Sequence, residues 1–88
     1  MARKLARGRR DLNPRVAFGL VLRALRQERG YSQDSFAHRT GYHRNYIGQL
    51  ERGEKSPSLT ALFDFAKTFG MRPSEVLQHV EGRLSREH

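Results

Sequence analysis

From Pro14 onward, apolar residues recur at three- and four-residue intervals, and a glycine closes most of the runs. Phe18, Leu22 and Leu25, with Val21 beside them, trace one face of a helix. Asn13 can cap its start, Pro14 fits its first turn and Gly30 stops it. A second, short segment runs from Ser32 to Thr40, with Phe36 and Ala37 inward and Gly41 at its end. A third covers about His43 to Arg52, with Ile47 and Leu50 inward, before Gly53. Ser56, Pro57 and Ser58 open a fourth, in which Leu59, Leu62, Phe65, Ala66 and Phe69 share one face up to Gly70. Arg72 to Glu75 opens a fifth, with Val76, Leu77 and Val80 inward and Gly82 near its end. Alternation of period two never persists, so the spacing predicts five short helices, no strands and an all-α fold. No internal repeat or low-complexity segment interrupts it.

The second and third segments, joined through Gly41, have the build of a helix-turn-helix. Glycine accepts the positive φ that such a tight turn requires, and the small Ala37 lets one helix lie across the other. In the third helix, taking Arg44 as zero, Gly48 stands at about 40°, Asn45 at about 100° and Gln49 at about 140° around the axis. Tyr46, Ile47 and Leu50 fall on the opposite side. Arg44, Asn45 and Gln49 therefore share an exposed arc. Arginine pairs with guanine N7 and O6, and asparagine or glutamine with adenine N6 and N7, so this arc is a base-reading set. Gly48 lies between them, at a cost of roughly 1 kcal/mol in helix propensity. It has two open readings: close approach to a base edge, or tolerance on a solvent face.

Charge strengthens the nucleic-acid reading. The 88 residues carry 17 Lys and Arg against 9 Asp and Glu, a net charge of +8. Arginine supplies 14 of the 17 cations, the side chain suited to bidentate contacts with phosphate and guanine. Arg3, Lys4, Arg7, Arg9, Arg10 and Arg15 face Asp11 alone in the first fifteen residues. After Met1, Leu5 and Leu12 are the only large apolar side chains before Pro14, too few to offset the entropy of ordering. The expectation is a disordered basic arm over 1–14, read either as following phosphates or entering a groove or as a solvated tail, a domain over 15–82 and a tail over 83–88.

Other chemistries find little footing. The chain has no cysteine, which removes disulfides, thiolate metal sites and thiol nucleophiles. His38, His43, His79 and His88 are accompanied by no acidic cluster, so no metal is expected. No Gly-rich phosphate loop or nucleophile motif frames a catalytic site, so neither an enzyme nor a cofactor is expected. The stretch from Val16 to Leu22 imitates a signal peptide, but Arg23 and Arg26 interrupt it, far short of the ~20 apolar residues of a membrane span. A cytoplasmic, nucleoid-associated protein is the expectation.

Several ordered motifs carry a family resemblance. They are Leu22 to Arg26, Gly30 to Gln33, Tyr46 to Gly53, Pro57 to Leu59, and Ala66 to Gly70. From about Phe18 to Leu77 the chain resembles the Cro/phage-repressor (XRE-type) helix-turn-helix family. The resemblance implies a five-helix, lambda-repressor-like domain with the third helix in the major groove of double-stranded DNA. Arg44, Asn45 and Gln49 match base-reading positions. Gln33 matches a residue that touches a phosphate and braces the one at Arg44. Ser32, Tyr46, Arg52, Lys55 and Ser56 match positions close to the DNA backbone, and Arg26 and Glu51 match a structural ion pair.

Two departures stand out. His43 replaces a Ser or Thr cap, leaving a looser helix start or a histidine that itself faces a phosphate. Ser35 replaces the Glu of a capping box, which is then expected to be incomplete. Val76, Leu77 and Val80, followed by Leu84, read either as core closure or as a dimer contact, and the family usually dimerises through that end. The expected function is a sequence-specific transcriptional regulator, a repressor that binds a pseudopalindromic operator as a homodimer. Two alternatives stay open. One is an antitoxin-type or other protein-binding module on the same fold that also binds its own promoter, with Phe63 or the fifth helix meeting a toxin or other regulator. The other is a non-specific binder dominated by the arm.

Overall fold

Asn13 caps the first helix: its side-chain oxygen accepts from the Val16 amide at 3.0 Å, and Pro14 occupies the first turn. A computed structural model describes residues 12–86. It contains α1 (Pro14–Glu28), α2 (Gln33–Thr40), α3 (Arg44–Glu51), α4 (Leu59–Phe69) and α5 (Pro73–Arg86), with no strand among the described residues. The arm residues Arg3, Lys4, Arg7, Arg9 and Arg10 lie outside the described residues. Leu12, which the sequence placed in the arm, packs partly buried against the core. The last helix continues through Gly82 to Arg86, because one glycine costs only about 1 kcal/mol in a helix.

Each inner helix starts on a side-chain cap. Ser32 accepts from the Ser35 amide at 2.9 Å, and the Ser35 hydroxyl accepts from the Ser32 amide at 2.9 Å. The capping box is therefore complete, contrary to the expectation from the missing Glu: a serine hydroxyl is long enough to close it. Gly41 ends α2 at φ 81°, the left-handed conformation that turns the chain toward α3. Ser58 caps α4 through the Ala61 amide at 3.0 Å.

One core joins all five helices. Phe36 of α2 sits at its centre, with ring centroids 5.4 Å from Phe65 and 5.2 Å from Phe69. Leu22, Ile47, Leu50 and Val76 close around it, each essentially without solvent contact. Every such side chain contributes roughly 1.5–3 kcal/mol by burial. Leu59 departs from its expected inward place: it is 72% exposed at the first position of α4, where the helix has not yet reached its neighbours. Val76 and Val80 are buried in this core, whereas Leu77 is 44% exposed. The first two are therefore core residues of the single chain rather than a free contact face. A 100° step along α5 carries Leu77 off the buried stripe.

Candidate nucleic-acid interface

A buried polar knot anchors α3. Arg26 of α1 donates from Nε to Glu51 Oε2 at 2.6 Å and from Nη2 to Glu51 Oε1 at 3.0 Å. Their side chains are only 8% and 4% exposed. The remaining capacity is used as well: Arg26 Nη1 donates to the Tyr31 carbonyl at 2.8 Å, and Gln33 Nε2 donates to Glu51 Oε1 at 3.0 Å. A bidentate pair with its spare donors and acceptors satisfied tolerates burial and specifies orientation. It ties the end of α3 to both α1 and the start of α2. Gln33 thus braces Glu51 through its amide NH2, and among the described residues no hydrogen bond joins it to Arg44.

On the outer side, α3 presents Arg44 and Asn45 exposed, with Gln49 half-buried on the same arc. Arg44 is paired with α2: its Nε lies 2.8 Å from Asp34 Oδ1 in an exposed ion pair. Gly48 is not open to solvent. The Arg52 guanidinium lies across it, and a Cβ there would stand 3.0 Å from Arg52 Nη1. Arg52 is itself paired with Glu54, Nε to Oε2 at 2.7 Å. That hydrogen bond holds the Glu54 carboxyl below the usual carboxylate range and raises Arg52 further above its own.

His43 caps α3. Its Nδ1 accepts from the Asn45 amide at 3.2 Å, so the neutral ring carries its proton on Nε2, which remains available as an outward donor. Tyr46 is half-buried, and its hydroxyl accepts from the Ser58 amide at 3.3 Å. Tyr42, the residue before the cap, stacks on Tyr46 at 5.6 Å and donates to Asp64 Oδ2 of α4 at 2.6 Å. This hydrogen bond, then burial and the Asp64 charge, push the Tyr42 phenol up to about 12. The start of α3 is thus moored to α4, as its end is moored to α1.

Ser32 is exposed at the first turn of α2, where the helix dipole adds partial positive charge. Lys55 and Ser56 are exposed in the loop after α3. Arg15 of α1 reaches that loop and donates from Nε to the Gly53 carbonyl. The sequence reading had missed Asp34, Glu54 and Gly19. Gly19 had a visible signal, a glycine inside an apolar helix, which marks close approach. Glu54 stands two residues from Arg52, near enough to suspect. Asp34 had no local signal, since its partner lies on another helix.

These elements coincide with a known family. The helix-turn-helix family model matches residues 22–76, which span both helices of the motif, the loop and the start of α5. The chain belongs to the helix-turn-helix family of the Cro/C1 (XRE) type. Among relatives of this helix-turn-helix chain, the control protein C.BamHI of Bacillus amyloliquefaciens is 33% identical over 66 residues, covering 74% of this chain and 82% of that protein. The crystal structure of the restriction-modification controller protein C.AhdI from Aeromonas hydrophila aligns with a TM-score of 0.66 at 38% identity, over 69% of this chain and 92% of that one. The clp gene regulator ClgR from Corynebacterium glutamicum aligns with a TM-score of 0.80 at 27% identity, over 85% and 80% respectively. Among the described residues no helix is long and apolar enough to cross a membrane. Membership makes the chain a DNA-binding helix-turn-helix regulator of transcription.

Proposed function

We propose that this chain is a sequence-specific repressor that occupies a pseudopalindromic operator as a homodimer, with α3 in the major groove. The observation that carries the reading is the open arc of Arg44, Asn45 and Gln49, held at both ends of α3 by the Tyr42–Asp64 bond and the Arg26–Glu51 knot. These three side chains have the donor and acceptor patterns that discriminate guanine and adenine in the major groove. Ser32, His43, Arg52, Lys55 and Ser56 flank the arc and suit phosphates, which position a protein without reading sequence. Repression follows from occupancy: a bound dimer excludes other proteins from the same duplex. The dimer contact is assigned to Leu77, which borders an apolar groove with Phe18, Pro57 and Leu62.

The test is selection of bound sequences from a random duplex pool at near-physiological salt. The expected product is an inverted repeat with half-sites one or a few helical turns apart, about 34 Å per turn. Absence of enrichment, with binding that collapses as salt rises, would replace this reading by non-specific phosphate binding.

A further inference from the structure

We propose that Asp34 is a specificity-determining residue, one that positions Arg44 to read a guanine. The inference rests on the reading of α3 as the helix that enters the groove. Asp34 stands in the first turn of α2 and Arg44 at the first position of α3. Their contact, Arg44 Nε to Asp34 Oδ1 at 2.8 Å, spans the two helices of the motif on its exposed side. Both side chains are exposed, so the pair contributes little to stability and the fold has no need of it. A carboxylate beside residues that meet phosphate would ordinarily weaken DNA binding by repulsion. Pairing cancels most of that charge at the point where it would be felt.

The geometry of the guanidinium supplies the function. The nearest approach of the Asp34 carboxylate is to Nε, which leaves the two terminal amino groups for other partners. Those are the groups that guanine N7 and O6 accept from in an end-on bidentate pair. A long, flexible arginine drawn toward Asp34 by charge has fewer rotamers to lose on reaching the base, so the guanine pair forms with less entropic opposition. Gln33 donates its amide to Glu51, and among the described residues no hydrogen bond joins it to Arg44. Asp34 is the next residue along, and among the described residues it is the acidic partner that Arg44 has.

The experiment compares the full chain with Asp34→Asn, Arg44→Ala and the double variant. Each is used in selection from a random duplex pool and in titrations of the selected duplex and a random duplex. The base pair at issue is the one whose preference Arg44→Ala removes. Asp34→Asn is expected to lower guanine preference at that pair about two- to fivefold. Random-duplex binding should stay level or tighten, since a negative charge is gone. In the Arg44→Ala background the same change should leave that preference unmoved. A thermal melt unchanged by Asp34→Asn separates positioning from folding. If Asp34→Asn keeps the guanine preference and merely tightens every sequence, Asp34 only competes with DNA for Arg44, and the inference falls alone. If the unaltered chain selects no sequence, the groove reading fails and takes the inference with it.

Discussion

Gly19 of α1 lies against the backbone of Leu50 in α3, so closely that a methyl group on Gly19 would overlap the Leu50 carbonyl oxygen. The same methyl would stand 2.8 Å from the Glu51 carbonyl oxygen. The end of α3 therefore rests on bare backbone. A side chain at this point would lift the helix that carries the reading arc. Gly19→Ala gains about 1 kcal/mol in helix propensity but overpacks rigid backbone, which costs about 1–3 kcal/mol or more. The net expectation is destabilisation, read as a lower urea midpoint. An unchanged midpoint would show that α1 and α3 can slide apart freely.

The knot around Glu51 makes a sharper demand. Glu51→Ala leaves Arg26 buried without its counter-charge and Gln33 without its acceptor. Breaking such a pair typically costs about 3–5 kcal/mol. Replacing both members, Arg26→Met with Glu51→Leu, should recover most of that loss, because no buried charge is then left alone. Denaturant unfolding of the two variants side by side decides it. A double variant as unstable as Glu51→Ala would mean the Gln33 and Tyr31 contacts carry the stability.

Gly48 separates folding from recognition. An alanine there would meet Arg52 Nη1 at 3.0 Å, the far end of a flexible and exposed side chain that can swing aside. Gly48→Ala should therefore raise stability by about 0.5–1 kcal/mol through helix propensity. If the backbone at Gly48 approaches a base edge, affinity for the selected duplex should fall while random-duplex binding holds. Equal affinity on both would leave Gly48 a folding residue alone.

The bond from Tyr42 to Asp64 has a pH signature. The folded chain favours the neutral phenol, whose pKa is pushed up to about 12 from an ordinary value near 10. A raised pKa means that this contribution is intact below about pH 10 and is lost as pH climbs through about 12. Tyrosinate absorbance should show one late-titrating phenol that Tyr42→Phe removes. Loss of an early-titrating phenol would place the hydrogen bond elsewhere.

Base reading and phosphate contact predict different losses. Asn45→Ala should cost about 1–3 kcal/mol on the selected duplex and little on a random one. Lys55→Ala should weaken both alike and reduce the slope of log affinity against log salt by about 1. Titrations at several salt concentrations read both. Equal losses on both duplexes for Asn45→Ala would remove it from the reading set.

Local signals carried much of this molecule. Apolar residues at helical spacing, the starts at Asn13, Ser32 and Ser56 to Ser58 and the turn at Gly41 placed all five helices, because each depends on neighbours within a turn or two of chain. The exposed arc of Arg44, Asn45 and Gln49 was legible for the same reason: angles around one helix need no knowledge of the others. Contacts between helices followed a different logic. Whether Arg44 meets Gln33 or Asp34, whether Val76 faces the core or a partner, and how close Gly19 comes to Leu50 depend on where whole helices cross. Long side chains choose among partners that are distant in sequence and near in space, and periodicity along one helix does not encode the crossing that brings them together. The helices and the face α3 exposes were written in the order of residues. The brace, the cover over Gly48 and the closure of α5 were written by packing.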